Sequence, residues 1–232
     1  MKKCFVAGIL HLLVLTCLPV SQTVADVPVG YGLLWESRYV SEGRDNLEEG
    51  GLLSGEIDIG WKDLVAGIWF AVGDSVSYEE LNLYLEYGFE IGILEAHTGY
   101  TRLEFTADNE SDNEVHFGVA YGEIPHLVCG ATYTYSTGAD GGFLELFVST
   151  DISLLEGRLV VEPYLLQAID FGYASKEHDG LNNFQAGLAI HCPLGHKSSL
   201  FCSLNHSWAQ KDVENDGLGD VSWVGLGVSG QF

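Results

Sequence analysis

Basic residues are scarce in this chain, whose 232 residues include only 10 Lys and Arg against 33 Asp and Glu, a formal net charge of -23. Because a basic surface is the electrostatic mark of nucleic-acid binding, this balance excludes a nucleic-acid partner. Methionine occurs once and proline 5 times, whereas 29 glycines and 11 tyrosines favour strands and turns over long helices. The hydrophobic share of 47% and the aromatic share of 12% are too high for an acidic disordered chain.

Long apolar runs are confined to the N-terminus. A basic start, MKK, precedes an apolar run at residues 4–20, and the small-residue sequence TVA at residues 23–25 resembles a cleavage site. This layout is that of a secretory signal peptide. We therefore expect residues 1–25 to be cleaved and residues 26–232 to form one exported domain. An uncleaved membrane anchor is the alternative, although the run is short for a spanning helix.

Residues that could carry chemistry are few and scattered. After residue 25 the cysteines are Cys129, Cys192 and Cys202, which form neither a disulfide framework nor a C-x-x-C pair. Residues 108–112 and 212–217 space oxygen ligands like calcium loops, but the second lacks the closing Glu of an EF-hand. His206 and Ser207 with a nearby acid resemble a triad, which only geometry can establish. We expect no catalytic residue, no metal and no cofactor.

Apolar and polar residues alternate with period two along most of the mature chain, as in residues 80–89, where Glu80, Asn82 and Glu86 interleave with leucines and aromatics. This period is typical of strands with two unlike faces. Tight turns and longer acidic or glycine-rich connections follow each other in alternation, which favours an up-and-down antiparallel barrel with its long loops at one end. Twelve strands are predicted, with ten or fourteen as alternatives. Their ranges are 30–41, 52–61, 64–73, 78–89, 93–104, 113–123, 127–136, 143–154, 159–171, 183–192, 198–209 and 220–232.

The polar face of these strands carries charged residues that cannot face hydrocarbon without a cost of several kcal/mol. A twelve-stranded barrel encloses a lumen wide enough to hold water, so we expect a transmembrane β-barrel with an acidic lumen. A secreted β-sandwich or soluble barrel with an acidic outer face is the alternative. The predicted pore-lining residues are Glu36, Arg38, Glu56, Asp58, Glu80, Asn82, Glu86, Glu114, His116, Glu145, Asp151, Glu162 and Asp170. The predicted membrane girdle consists of Tyr31, Trp35, Tyr39, Trp61, Tyr87, Phe89, Tyr121, Phe171 and Trp208.

The chain ends on Phe232, at the close of an alternating apolar segment. This ending resembles the C-terminal signature of bacterial outer-membrane proteins, which the barrel assembly machinery of that membrane reads. Together with the signal peptide and the strand pattern, it predicts a bacterial outer-membrane location. The expected partners are outer-membrane lipid, lipopolysaccharide and the assembly machinery, with Phe232 as the assembly signal.

The start of the mature chain resembles the TorF family of porins. The segment SRYVSEG at residues 37–43 is followed by GLLSGEIDIG at residues 51–60 and then by GIW at residues 67–69. In the family, an S-x-Y-V-x-R-G segment precedes a second strand and a G-x-W strand. This chain departs from that pattern at Glu42, where the family has arginine. The resemblance implies an outer-membrane barrel with a proposed channel function.

The expected function is passive passage of small solutes, with a preference for cations because lumen acids create a negative potential. A non-conducting structural or surface-binding barrel, resembling an adhesin, is the alternative. In that case acids pair through protons or ions and inward rings narrow the pore. The candidate narrowing residues are Tyr84, Phe143, Phe147 and Tyr164.

Overall fold

The computed structural model describes residues 27–47, 49–195 and 197–232. The predicted signal peptide at residues 1–25 lies outside the described residues, as does His196 of one predicted turn. Within the described ranges, no helix is long and apolar enough to span a membrane.

The described part of the chain is almost entirely strand and turn. In chain order the strands are β1 (Val29–Glu36), β2 (Val40–Ser41), β3 (Arg44–Asp45), β4 (Leu52–Trp61), β5 (Leu64–Gly73), β6 (Glu79–Ile91), β7 (Leu94–Phe105), β8 (Glu110–Ile124), β9 (Leu127–Ser136), β10 (Gly141–Thr150), β11 (Ile152–Leu154), β12 (Leu159–Phe171), β13 (Asp179–Leu194), β14 (Ser198–Ala209) and β15 (Val221–Gln231). A single 3-10 turn (Leu155–Gly157) lies before β12, and a short helix, α1 (Lys211–Asn215), lies before β15.

Twelve of these strands form a closed antiparallel β-barrel, which confirms the predicted fold and strand number. Each wall strand pairs with its neighbours in sequence, and β1 closes the barrel by pairing with β15, with Gly30 opposite Gln231. β11 pairs with one end of β12, while β2 and β3 form a separate hairpin. Closure leaves no free sheet edge among the wall strands, which a membrane-spanning sheet requires.

The two faces of the wall differ in polarity as the alternation predicts. On β6, Glu80 and Asn82 are fully buried inside the barrel, while Leu83 and Leu85 on the opposite face are exposed. Apolar side chains such as Ile57, Leu204 and Leu226 cover the outer surface elsewhere. A barrel in water would place its polar side chains outside, so this arrangement is that of a barrel surrounded by lipid.

Short turns occupy one end of the barrel and longer connections the other. Lys62, Gly92 and His126 adopt positive φ angles of 55°, 67° and 64° in the short turns, as two-residue hairpin turns require. The longer connections at the other end, here called the loop end, are residues 37–51, 74–78, 106–109, 137–140, 172–178 and 210–220. Several strands extend further towards the loop end than predicted, because backbone pairing continues where side-chain polarity no longer alternates.

Two predicted strands are corrected by the structure. The first, 30–41, ends at Glu36. The chain then forms the hairpin of β2 and β3, whose turn consists of Glu42 and Gly43 with φ angles of 44° and 70°. The segment 143–154 is divided at Asp151, so that only β10 crosses the wall. In both cases alternation continued past the point where the backbone leaves the barrel wall.

The inward and outward faces predict different costs for the same substitution on β14. Leu204 faces outward and is 53% exposed, so Leu204→Arg would place a cation in hydrocarbon at a cost of about 2–4 kcal/mol. The adjacent Ser203 faces the lumen, and Ser203→Arg should cost less than about 1 kcal/mol. Urea unfolding of the refolded barrel in lipid vesicles measures both. Equal losses would show that the assignment of faces is wrong.

Candidate functional site

The lumen is lined mainly by acids. Following the strand register around the barrel places most predicted pore-lining residues on the inward face. These are Glu36, Glu56, Asp58, Glu80, Asn82, Glu86, Glu114, His116, Glu145, Glu162 and Asp170. Arg102 is the one Lys or Arg within the described wall strands, and it lies opposite Leu83 on the outward face.

Three predicted positions are corrected. Arg38 lies in the connection after β1, where its 52% exposed side chain pairs with Asp45 at 2.7 Å, rather than in the pore wall. Asp151 lies between β10 and β11 with a 56% exposed side chain beside His126. Tyr39 is buried inside the barrel and does not belong to an outer girdle. These corrections share one cause, since each residue lies beyond the end of a wall strand.

The other predicted girdle residues lie on the outward face, mostly near strand ends. They are Tyr31, Trp35, Trp61, Tyr87, Phe89, Tyr121, Phe171 and Trp208. Tyr31 stacks on Phe232 with ring centroids 5.0 Å apart. Phe232 is well exposed, and its assembly role stays a prediction.

Residues 39–47, here called the lumen hairpin, fold back into the loop end of the barrel. Its Tyr39 and Leu47 pack with Leu52, Trp69 and Ala71 in an apolar cluster. The last three project inward from β4 and β5. The backbone N–H of Asn46 donates to the carbonyl of Tyr39 at 2.8 Å and closes the hairpin. The lumen hairpin therefore fills part of the lumen from inside.

Arg44 fixes the lumen hairpin to α1 and to the start of β13. Its side chain, only 1% exposed, donates through Nη2 to Asp212 and to Asp216, both at 2.8 Å. Nη1 donates to the Asn182 Oδ1 at 2.6 Å. Burial lowers the pKa of Arg44, but hydrogen bonds to Asp216 and Asp212 outweigh it and the pKa is raised. The guanidinium therefore remains charged in the lumen.

Asp212 lies on α1 and Asp216 directly follows it, so a spacing of four places both carboxylates on one side of the helical turn. The acidic segment 212–217, considered above as a calcium loop, thus holds the guanidinium of Arg44. Among the described residues, no three His, Cys, Asp or Glu side chains are grouped as a metal site.

A register shift between β12 and β13 places two asparagine side chains where the lumen hairpin contacts the wall. The register of β12 and β13 shifts between Ala168 and Ile169, and Asn182 and Asn183 are both buried as a result. Asn182 donates to the carbonyl of Glu42 at 2.8 Å. A Cβ on Gly43 would lie 2.7 Å from the Asn183 side chain, and the φ of Gly43 is +70°. Both constraints require glycine at the turn.

Tyrosine hydroxyls satisfy the other carboxylates at this end. Tyr39 and Tyr78 both donate to Glu80, at 2.9 Å for Tyr39, and Tyr173 donates to Glu114. Burial is the main cause that raises the pKa of Tyr39 and of Tyr173, so both phenols keep their protons. Asp170 accepts the backbone N–H groups of residues 173–175, which draws that connection inward.

Glu42, at the tip of the lumen hairpin, receives no tyrosine or backbone N–H donor among the described residues. It is 7% exposed, and the Ser41 side chain is the hydrogen-bonding group beside its carboxyl. Burial raises the pKa of Glu42 well above its ordinary range, and the neighbouring Glu114 and Glu145 raise it further, outweighing Ser41 and Arg44. The raised pKa favours the protonated, neutral form of Glu42.

Deeper in the lumen, a second set of polar groups surrounds Tyr84, within electrostatic range of Glu56, Asp58 and Glu86. His116 lies 3.4 Å from Glu86. The inward faces of β10 and β12 carry Phe143, Phe147 and Tyr164, so the residues considered for narrowing the pore all face the lumen.

The catalytic alternative is not supported by geometry. His206 faces outward, where its Nδ1 lies 2.6 Å from the hydroxyl of Ser222 and its ring contacts Trp208 edge-on. Ser207 faces inward and accepts from Asn183. Successive residues of a strand point to opposite faces, so His206 and Ser207 do not form a catalytic pair.

Sequence reasoning missed the lumen hairpin and its partners. Glu42 and Arg44 were hidden within a segment predicted to be strand and loop, and Asn182 within a predicted loop. One usable signal was present: Asp212 and Asp216 are four residues apart, a helical spacing that presents two carboxylates to one cation.

The chain matches no protein-family model and no curated protein sequence. Solved structures are nevertheless similar. The KdgM porin in complex with disordered oligogalacturonate has a TM-score of 0.59 at 7% identity, covering 89% of this chain and 99% of that chain. The NanC porin has a TM-score of 0.55 at 10% identity, covering 89% and 100%. The COG4313 outer membrane channel from Pseudomonas putida F1 has a TM-score of 0.54 at 11% identity, covering 93% and 97%.

At such identities the likeness shows the fold, which is that of outer-membrane β-barrels. The neighbours are described as porins and an outer membrane channel, which agrees with a porin-like barrel. They do not include a TorF protein, so that resemblance stays a prediction.

Removal of Arg44 should release the lumen hairpin. Arg44→Ala leaves Asp212 buried and unpaired, which should lower the stability of the docked hairpin by about 3–5 kcal/mol. Arg44→Lys should cause a smaller loss, because an ammonium group cannot make the several hydrogen bonds that the planar guanidinium donates. Hydrogen exchange of the amides of residues 39–47 measures the release. Arg38→Ala, which removes the exposed pair of the same loop, should cost at most about 1 kcal/mol. Unchanged protection in Arg44→Ala would contradict the anchoring role.

Docking of the lumen hairpin should weaken as pH rises. Because the pKa of Glu42 is raised, the contribution of its protonated form is complete at acidic pH and is lost as pH rises through that raised pKa. Glu42→Gln, which stays neutral, should remove this part of the pH dependence and keep the hairpin protected at alkaline pH. Amide hydrogen exchange of residues 39–47, corrected for intrinsic rates, measures this pH dependence. Glu49→Gln, which changes an exposed acid of the same loop, is the control. A pH dependence shared equally by all three proteins would rule out Glu42 as its source.

Proposed function

We propose that this protein is an outer-membrane channel for passive passage of small solutes and that it prefers cations. One observation carries the proposal: the inward face bears carboxylates along its length, while no Lys or Arg of the described wall strands faces the lumen. Walls of low dielectric constant concentrate the field of such charges, which attracts cations and repels anions.

The ligand of one neighbour does not transfer to this chain. The KdgM porin was solved with oligogalacturonate, which is a polyanion because each sugar carries a carboxylate. An acidic lumen repels such a chain, and the inward residues of this protein offer few groups to neutralise it. The shared fold is therefore compatible with opposite charge preferences.

The lumen hairpin sets the size of the passage. It occupies the loop end together with residues 173–175 and α1, so a narrow conductance is expected. The same observation favours the second candidate, a non-conducting structural or surface-binding barrel, if the hairpin closes the lumen completely. In either case outer-membrane lipid and lipopolysaccharide are the proposed surroundings, and Phe232 is the proposed signal for the assembly machinery.

The refolded 26–232 barrel in a planar bilayer with a salt gradient tests the channel. Discrete steps with a reversal potential that favours the cation are expected. A unit charge contributes about 1 kcal/mol at 4 Å in water, so Glu56→Gln, Asp58→Asn and Glu86→Gln together should lower the cation-to-anion permeability ratio severalfold.

A matched control removes three exposed acids of the loops instead, with Glu49→Gln, Asp108→Asn and Glu214→Gln, and should keep most of the selectivity. A folded barrel that never conducts would favour the structural candidate. Conductance whose selectivity ignores the lumen substitutions would reject the acidic lumen as its cause.

A further inference from the structure

Three histidines of the barrel wall project into the lumen. The strand register places His97 of β7, His116 of β8 and His191 of β13 on the inward face, whereas His206 of β14 faces outward. Arg102, the one Lys or Arg of the described wall strands, also faces outward. Within that part of the wall, imidazole is therefore the group through which the lumen can gain positive charge, because histidine changes its charge between about pH 5 and pH 8.

His97 and His116 lie side by side, with ring centroids 5.6 Å apart. Each ring lies over a glycine of the neighbouring strand. A Cβ on Gly118 would lie 2.2 Å from the Cε1 of His97, and a Cβ on Gly99 would lie 2.5 Å from the Cε1 of His116. The two glycines therefore make room for the imidazoles against the wall, so that both rings border the passage.

Carboxylates lie beside the rings on both sides of the lumen. The Nε2 of His116 is 3.4 Å from the Oε2 of Glu86, and Glu86 also lies within electrostatic range of His97. Further round the barrel, the Nε2 of His191 is 3.8 Å from the Oε2 of Glu162. A protonated imidazole at such a distance offsets much of the field of its carboxylate, because the two opposite charges are closer to each other than to most passing ions.

These imidazoles remain partly accessible although they face the interior of a closed barrel. The side chain of His191 is 28% exposed and that of His116 is 17% exposed. His97 is partly exposed as well. The lumen beside them therefore has room for water, through which the imidazoles exchange protons.

The other ionisable groups that face the three histidines are carboxyls and phenols. They are Glu86, Glu90 and Tyr84 on β6, Glu95 on β7, Glu114 on β8, and Glu162 and Tyr164 on β12, with Asp151 in electrostatic range of Glu162. The inward residues of β9 and β14 beside the histidines carry no charge. Since a carboxyl or a phenol is either neutral or negative, only the imidazoles add positive charge to this set.

We propose that His97, His116 and His191 determine the ion selectivity of the lumen and make it depend on pH. Neutral imidazoles leave the negative potential of the lumen at full strength, which favours cations. Each imidazole that takes up a proton adds one positive charge beside a carboxylate and weakens that preference. The proposal rests on the proposed channel function, of which it names the regulation.

Reversal potentials of the refolded 26–232 barrel in a potassium chloride gradient, measured at pH 8 and at pH 5.5, test this role. Acidification should lower the cation-to-anion permeability ratio of the wild type about threefold or more, because three charges are added along the passage. The combined variant His97→Gln, His116→Gln and His191→Gln cannot gain these charges and should show a smaller change. Glu42, whose pKa is raised by burial, contributes to the pH dependence of both proteins alike.

The matched control combines His178→Gln, in the connection before β13, with His206→Gln, on the outward face, and should behave as the wild type does. His116→Lys tests the sign separately, because it places a lasting cation beside Glu86 and should lower the permeability ratio already at pH 8. Heat-modifiable gel mobility confirms that each variant is folded, and the three single substitutions to Gln replace the combined variant if that protein does not fold.

The outcomes separate this role from the channel itself. Cation-selective steps whose pH dependence is the same in the wild type and in the histidine variants would overturn the role of the histidines and leave the channel standing. An unchanged permeability ratio in His116→Lys at pH 8 would do the same for that position. A folded barrel that never conducts would reject the channel and, with it, the selectivity role.

Discussion

The buried contact between Arg44 and the acids of α1 is the interaction on which the loop end depends. A guanidinium removed from water is stable only when its donors find acceptors, and here Asp212, Asp216 and Asn182 supply them. The contact joins two connections far apart in sequence, because Arg44 follows β1 and Asp212 precedes β15. Since β1 and β15 are neighbours at the closure of the barrel, the contact also secures the hairpin next to that seam.

The remaining charges at the loop end follow from the same demand. Acids that face a partly filled lumen lose hydrogen bonds to water. Phenol hydroxyls replace these bonds at Glu80 and Glu114, and backbone N–H groups replace them at Asp170. These donors keep the acids ordered. Glu42 receives no tyrosine or backbone donor of this kind, and burial raises the pKa of its carboxyl instead.

The barrel wall shows how far sequence reasoning reaches. Alternation in residues 80–89 identifies the inward Glu80, Asn82 and Glu86 because the pleat of a strand sends successive side chains to opposite faces. The same rule separates His206 from Ser207. It fails where the backbone leaves the wall: Arg38, Tyr39 and Asp151 alternate in sequence but lie beyond the strand ends, and the hairpin turn at Glu42 and Gly43 was not anticipated.

The sequence by itself determined the all-β class, the twelve strands, the acidic lumen and the apolar outer face, because each depends on local period and residue polarity. Only the tertiary structure decided that residues 39–47 enter the lumen, that Arg44 contacts Asp212 and that Glu42 is buried at the tip of the hairpin. Those contacts join residues separated by much of the chain, such as Glu42 and Asn182. Barrel closure creates that proximity, and no local pattern encodes it.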